Sequence, residues 1–218
     1  TAVDKAEDEK DLCYSINVQG TGYVAQACRE MDAKMVYIST DYVFDGEKEE
    51  PYAVTDKPNP INHYGLTKYL GELEVQKYLE NFFIVRTSWV FGKNGNNFVK
   101  TMLRLGQERK EIKVVSDQVG SPTYTYDLAR LILDMIQTDK YGIYHATNEG
   151  YCSWYEFATE IFKVAGITDV KVLPIKSEEF PTKAERPKNS WLSKKELKSK
   201  SFITLPHWQE ALKRYILF

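Results

Sequence analysis

Lys34 to Ser39 reads KMVYIS, a short apolar, β-branched run with a charge only at its first position. Runs of this kind form strands buried on both faces, as in parallel sheets covered by helices. The flanking segments agree. Asp11 to Met31 carries Leu12, Ile16, Val24, Ala27 and Met31 at roughly helical spacing, so a helix leads into the strand. A loop with Asp45-Gly46, Pro51, Pro58 and Pro60 follows, then a second helical stretch from Asn62 to about Leu79. Phe82 to Gly92, FFIVRTSWVFG, is again a buried strand, running into a Gly-ended loop. Helix and strand alternate, and this predicts an α/β fold with a parallel sheet of the doubly wound, Rossmann-like kind.

The rhythm continues beyond Gly92 in shorter pieces. Phe98 to Arg109 reads as helix, Glu111 to Val115 as strand, Tyr126 to Ile136 as helix and Gly142 to Ala146 as strand. Ser153-Trp154-Tyr155-Glu156 is a capping box opening an apolar helix to about Val164. KVLPI is a further strand, Lys176 to Ser190 a charged loop with two prolines, and short helices lie near Lys194 and Trp208. The division expected is residues 1–92 as a dinucleotide-binding domain with a functional helix, and 93–218 as a smaller mixed, mainly substrate-binding region with segments returning to the main domain.

Composition narrows the function. With 43% hydrophobic and 28% charged residues among 218, the chain can bury a sizeable core. A net charge of -2 without a basic block argues against nucleic acid as a partner. No apolar run is long enough to span a bilayer and no signal-peptide pattern opens the chain, so no membrane partner is expected. Three widely spaced cysteines, Cys13, Cys28 and Cys152, read as reduced thiols of a cytoplasmic protein. With three histidines and no cluster, no metal site is expected from the residues.

In doubly wound sheets ligands sit beyond the carboxyl ends of the strands. Here that selects Thr1 to Asp4, if a strand precedes them, Ser39 to Tyr42, and Thr87 to Trp89. Tyr64 and Lys68, four apart on the intervening helix, share one face and can look into the same pocket. A plain amphipathic tyrosine beside a solvated lysine is the alternative. A tyrosine hydroxyl is a sluggish acid, and a nearby ammonium lowers its pKa by favouring the phenolate. With a hydroxyl from Ser39 or Thr40 it becomes a proton donor to a carbonyl oxygen. Hydride must then come from a nicotinamide cofactor, since no side chain can deliver it.

Ser39-Thr40, Tyr64-x-x-x-Lys68 and the helix NVQGTGYVAQAC resemble the extended short-chain dehydrogenase/reductases. The stretches TAVDKAE, VYISTDYVFDG, PNPINHYGLTK, VRTSWVFG, NNFVKTMLRL, DQVGSPTYTYDLA and RPKNSWL, in this order, are similar to the dTDP-4-dehydrorhamnose reductase family within them. The resemblance implies NADPH- or NADH-dependent reduction of the C4 keto group of a dTDP-4-dehydro-6-deoxy sugar, in nucleotide-sugar biosynthesis for cell-wall polysaccharide. It implies Tyr64 as proton donor and Lys68 as the lysine that lowers its pKa and binds the nicotinamide ribose. Thr40 completes the triad; Thr1 and Ser39 lie with the cofactor. Asp41, Trp89 and Arg186 fall to the nucleotide-linked sugar, and Asn17 to a water chain. A homodimer and a divalent ion such as magnesium are arrangements the resemblance allows.

The chain departs from this family in one respect. No G-x-x-G-x-x-G is present, and TAVDKAE lies well inside the family's nucleotide-binding domain. Two leading βα units, on the order of 60 residues, are therefore expected to be missing, leaving an apolar sheet edge. Two other functions compete. A non-catalytic regulatory subunit of the methionine adenosyltransferase type need not keep Thr40, Tyr64 and Lys68. A dehydratase or epimerase relative is the other; dehydratases usually follow the threonine with Asp-Glu, where this chain has Asp41-Tyr42.

Overall fold

The computed structural model describes residues 2–217. The chain opens with α1 (Val3–Asp8) and α2 (Lys10–Tyr14). A wide π-helical turn, Ser15–Gly20, then leads into α3 (Thr21–Glu30). One strand follows, β1 (Met35–Thr40), and the crossover helix α4 (His63–Tyr78) returns the chain to β2 (Phe82–Thr87). These two strands pair in parallel from Met35↔Phe82 to Thr40↔Thr87.

What was read as one strand to Gly92 is two. The chain breaks at Ser88 and Trp89, where Trp89 takes a left-handed conformation (φ 47°), before β3 (Val90–Phe91). Next come α5 (Phe98–Glu108), β4 (Glu111–Val115), β5 (Val119–Gly120) and β6 (Thr123–Tyr124). Then α6 (Thr125–Ile136) and β7 (Gly142–His145) rejoin the first sheet, whose order is β1-β2-β7, all parallel. The remainder runs β8 (Asn148–Glu149), β9 (Cys152–Ser153), α7 (Trp154–Val164), β10 (Lys171–Ile175), β11 (Asn189–Ser190), α8 (Lys195–Ser199), β12 (Leu205–His207) and α9 (Trp208–Leu217). The loop from Lys176 to Ser190 thus ends in a short strand, which pairs with β5.

Successive strand residues face opposite ways, and β2 shows both faces covered. Ile84 joins Ala25, Met35, Tyr37, Val75 and Leu79 under α3 and α4. Phe83 and Val85 join Leu128, Leu131, Met135 and Tyr144 under α6. A separate core, including Val99, Ile112, Phe157, Ile161 and Leu212, lies between α5, α7, α9 and the parallel pair β4 and β10. The result is the expected α/β architecture.

The first helical stretch packs differently from its apolar spacing. Leu12, Ile16, Val24 and Met31 are exposed, as is Ile38 on β1, which pairs only with β2 among the described residues. The face turned to α4 instead carries Thr21, Gly22 and Ala25, because the two helices approach closely and only small residues fit. Gly71 on α4 makes the same point. A Cβ there would collide with the Tyr37 hydroxyl and stand 2.6 Å from the Asn17 carbonyl oxygen.

Candidate active site

Strand β1 delivers two hydroxyls to its carboxyl end, and strand alternation separates them. Ser39 donates to Glu72 Oε1 at 2.5 Å, inside the protein. Its proton is engaged by that carboxylate, which leaves the Ser39 oxygen an acceptor. Thr40 faces the other way. It donates to Asp41 Oδ1 at 3.0 Å and accepts from the Tyr42 amide at 3.3 Å, starting a single 3-10 turn, Asp41–Val43.

Asn62 caps α4, its Oδ1 accepting from the Gly65 amide at 2.8 Å, and so sets where the helix begins. Tyr64 then sits in the first turn, half-buried, with its ring edge-on to Tyr42 at 6.0 Å. Burial, and then the charge of Asp41, push the Tyr64 hydroxyl up to about 12, opposed by a hydrogen bond with Thr40. The Tyr64 hydroxyl thus lies within reach of Thr40 and of the charge on Asp41.

Lys68, one turn on, is turned elsewhere. Its ammonium lies 4.0 Å from the centre of the Tyr37 ring, and the Tyr37 hydroxyl donates to the Lys68 carbonyl oxygen at 3.2 Å. Burial lowers Lys68 to about 8, with Glu72 and then Cys13 working to keep it charged. Desolvation and Asp41 set Tyr64 here, and the lysine acts on a neighbouring ring.

Asp41 is 4% exposed, and its second oxygen, Oδ2, has no hydrogen-bond partner. Burial raises its carboxyl to about 6, against hydrogen bonds with Ser190 and Thr40. An orphaned buried oxygen beside a tyrosine hydroxyl is a strong acceptor for a ligand hydroxyl. Ser190 was not anticipated. It arrives on β11 from the far end of the chain, four residues after Arg186 in the stretch RPKNS.

A groove of about 240 Å³ adjoins Tyr64, lined among others by Ala6, Leu12, Cys13, Ile16 and Asn17. The π-helical turn brings Asn17 to this place. Its amide donates to Thr67 Oγ1 at 3.0 Å and to Cys13 Sγ at 3.3 Å, and Thr67 donates to the Tyr64 carbonyl oxygen at 3.0 Å. Its wall is mainly apolar, with the Lys5–Glu9 pair among the lining and Tyr64 and the Asn17 amide as its uncharged polar groups, a mixture that suits the nicotinamide-ribose half of a dinucleotide.

Two further residues stand apart from the tyrosine. Arg186 Nη2 pairs with Asp4 Oδ2 at 2.6 Å and Nη1 lies 3.4 Å from the Tyr42 hydroxyl, so it reaches the rim of the site while already paired. Trp89 stacks on Trp154 with ring centres 3.5 Å apart, and a Cβ on Gly120 would strike its indole. Its ring is half-buried against the second core. Thr1 lies outside the described residues. Among the described residues no group of three or more His, Cys, Asp or Glu side chains is arranged to hold a metal ion, and no helix is long and apolar enough to cross a membrane.

Glu72 and Arg86 also escaped the sequence reading. Arg86 donates to Glu72 Oε1 through Nε at 2.8 Å and to Oε2 through Nη2 at 2.6 Å, with the side chains 2% and 0% exposed. A signal existed: an arginine within FFIVRTSW, in a strand buried on both faces, requires a buried carboxylate.

Comparison with known proteins places these features. A family model described as RmlD substrate binding domain matches residues 1–217. The spore coat polysaccharide biosynthesis protein SpsK of Bacillus subtilis (strain 168) is 44% identical over 216 residues, covering 99% of this chain and 75% of that protein. A dTDP-4-dehydrorhamnose reductase of Aggregatibacter actinomycetemcomitans is 42% identical over 224 residues, covering 98% of this chain and 76% of the relative. Among solved structures, a dTDP-4-dehydrorhamnose reductase from Bacillus anthracis str. Ames in complex with NADP matches with a TM-score of 0.97 at 52% identity, covering 100% of this chain and 77% of that one.

Proposed function

Because the chain belongs to the RmlD substrate binding domain family, we propose that it acts as a dTDP-4-dehydrorhamnose reductase, reducing the C4 keto group of the nucleotide-linked sugar with NADPH. It spans about three quarters of the length of the curated relatives it matches. The observation that carries the reading is the meeting of Thr40, Asp41 and Tyr64 at the carboxyl end of β1, next to the groove bordered by Asn17.

NADPH, when bound, supplies the hydride that adds to the C4 carbon. The residues of this chain supply the rest. Tyr64 keeps its proton throughout the neutral range and can release it to the carbonyl oxygen as that oxygen becomes an alkoxide, a stronger base than the phenolate. Thr40 shares the hydrogen bond at the tyrosine oxygen and orients it. Lys68, charged below about 8, places a positive charge one helical turn from the phenolate that forms. Asp41 offers Oδ2 to a sugar hydroxyl. Arg186 and Trp89 extend the sugar-nucleotide side, supported by the position of Arg186 at the rim.

The test is consumption of NADPH by the purified protein with dTDP-4-dehydrorhamnose, for the parent and Tyr64→Phe. A loss of about 100- to 10,000-fold in kcat with sugar-nucleotide binding retained is expected. Near-parental turnover in Tyr64→Phe would remove the tyrosine from the mechanism. Binding without turnover in the parent would favour a non-catalytic role.

A further inference from the structure

The Glu72–Arg86 pair has no place in the chemistry above, yet it is buried almost completely under the functional helix. Taking two charges out of water costs more than their attraction commonly returns, and apolar residues of equal volume hold a fold as well. Stability is thus a weak reason for such a pair. Its placement suggests another. Glu72 lies four residues after Lys68, on the same face of α4. We infer that Glu72 is a positioning residue for Lys68: its carboxylate, clamped by Arg86, is the fixed negative charge that holds the Lys68 ammonium charged on the inner face of the helix.

The groups around both ends support this. Facing Lys68 are the Tyr37 ring on β1, Cys13 on α2, and Glu72 on α4 itself. The salt bridges among the described residues do not include Lys68, and of the charges acting on it that of Glu72 is the largest. Facing Glu72 are Ser39 on β1 and Arg86 on β2, which hold both carboxylate oxygens in place. Behind Arg86 stands His145 on β7, pushed down to about 3 by burial and by Arg86. It is therefore neutral. Its Nδ1 donates to the Tyr52 carbonyl oxygen at 3.0 Å, which leaves Nε2 to accept from Arg86 Nη1 at 3.4 Å. Arg86 is locked on every side, so the carboxylate cannot turn away from Lys68 without breaking the clamp.

The inference rests on the reading of Lys68 as the lysine of the reductive site, but its test does not need turnover. The pH dependence of Lys68 acylation by acetic anhydride, read by peptide mass spectrometry, reports its protonation directly. Three proteins are compared: the parent, Glu72→Gln, and Glu72→Gln with Arg86→Gln, the last removing both charges at nearly constant volume. The labelling midpoint of Lys68 should drop by about one pH unit in both variants, a tenfold change in its equilibrium. The upper limb of the pH profile of kcat should drop with it. An unchanged midpoint in the folded double variant overturns the inference, as does failure of both variants to fold, which would assign the pair to stability. Either result leaves the reductase reading intact. Loss of NADPH turnover in the parent would count against that reading alone.

Discussion

Asp41→Asn is expected to stabilise the protein at neutral pH while damaging its function. In the folded chain the Asp41 carboxyl titrates at about 6, against an ordinary value of 3.8, because burial outweighs its hydrogen bonds. A folded-state value above the unfolded one means that folding favours the protonated acid. That contribution is complete below about 3.8 and is lost as pH rises through about 6. At ~1.36 kcal/mol per tenfold, the charged carboxylate costs about 3 kcal/mol at pH 7.5, a large fraction of a domain's stability. Asparagine has the same shape and never ionises. Its amide hydrogens meet no acceptor where Oδ2 lies, but that penalty is the same at every pH.

Urea unfolding of parent and variant near pH 4 and near pH 7.5 separates the two contributions. The stability of Asp41→Asn relative to the parent should improve by about 2.5 kcal/mol between those conditions. His145 moves in the opposite sense, since its lowered value means that stability is lost as pH falls below about 6.5. It is common to both proteins and cancels in the comparison. A stability difference that does not change with pH would refute the reasoning, by showing that Asp41 is not held charged and unpaired in the folded protein. The same variant should bind the sugar nucleotide more weakly, having lost a charged acceptor.

Three other perturbations follow from the structure. Turnover should fall as pH rises through about 8, where Lys68 loses its proton, and Lys68→Met should remove that limb of a kcat profile. Gly71→Ala, a favourable change in an open helix, should instead destabilise by about 1–3 kcal/mol because its methyl meets the Tyr37 hydroxyl and the Asn17 carbonyl, as thermal unfolding would show. Ser153→Ala removes the two hydrogen bonds of its hydroxyl, from the Glu156 amide and to the Glu156 carboxylate, while the backbone half of the capping box at α7 stays; it should cost about 1 kcal/mol, a drop of about 2–4 °C in Tm, with kcat unchanged.

Much of the fold was legible because its signals are local. The apolar runs around Val36 and Ile84 required two covered faces, and Asn62 and Ser153 marked helix starts that the structure caps with those side chains. The site was legible where spacing alone carries direction, as for Tyr64 on its helix. What sequence could not supply depends on partners far away along the chain. Ser190 against Asp41, Arg186 against Asp4 and Arg86 against Glu72 are tertiary pairings. The apolar spacing of Leu12, Ile16, Val24 and Met31 pointed to the wrong face, because close helix packing selected Gly22 and Ala25 instead. The backbone at Trp89 is left-handed, a conformation that sequence discourages for so bulky a residue.

The π-helical turn at Ser15–Gly20 bears on how this segment tolerates changes in length. Such a turn accommodates one residue more than an α-helix does over the same rise. Deleting a single residue there would let the helix close up as ordinary α-helix with the flanking turns keeping their faces, whereas the same deletion in a regular α-helix rotates whatever follows by about 100°. Ala25 would thus still face α4. What would be lost is the widened turn that carries Asn17 to the groove beside Tyr64. The extra residue therefore serves the groove rather than the packing of α3.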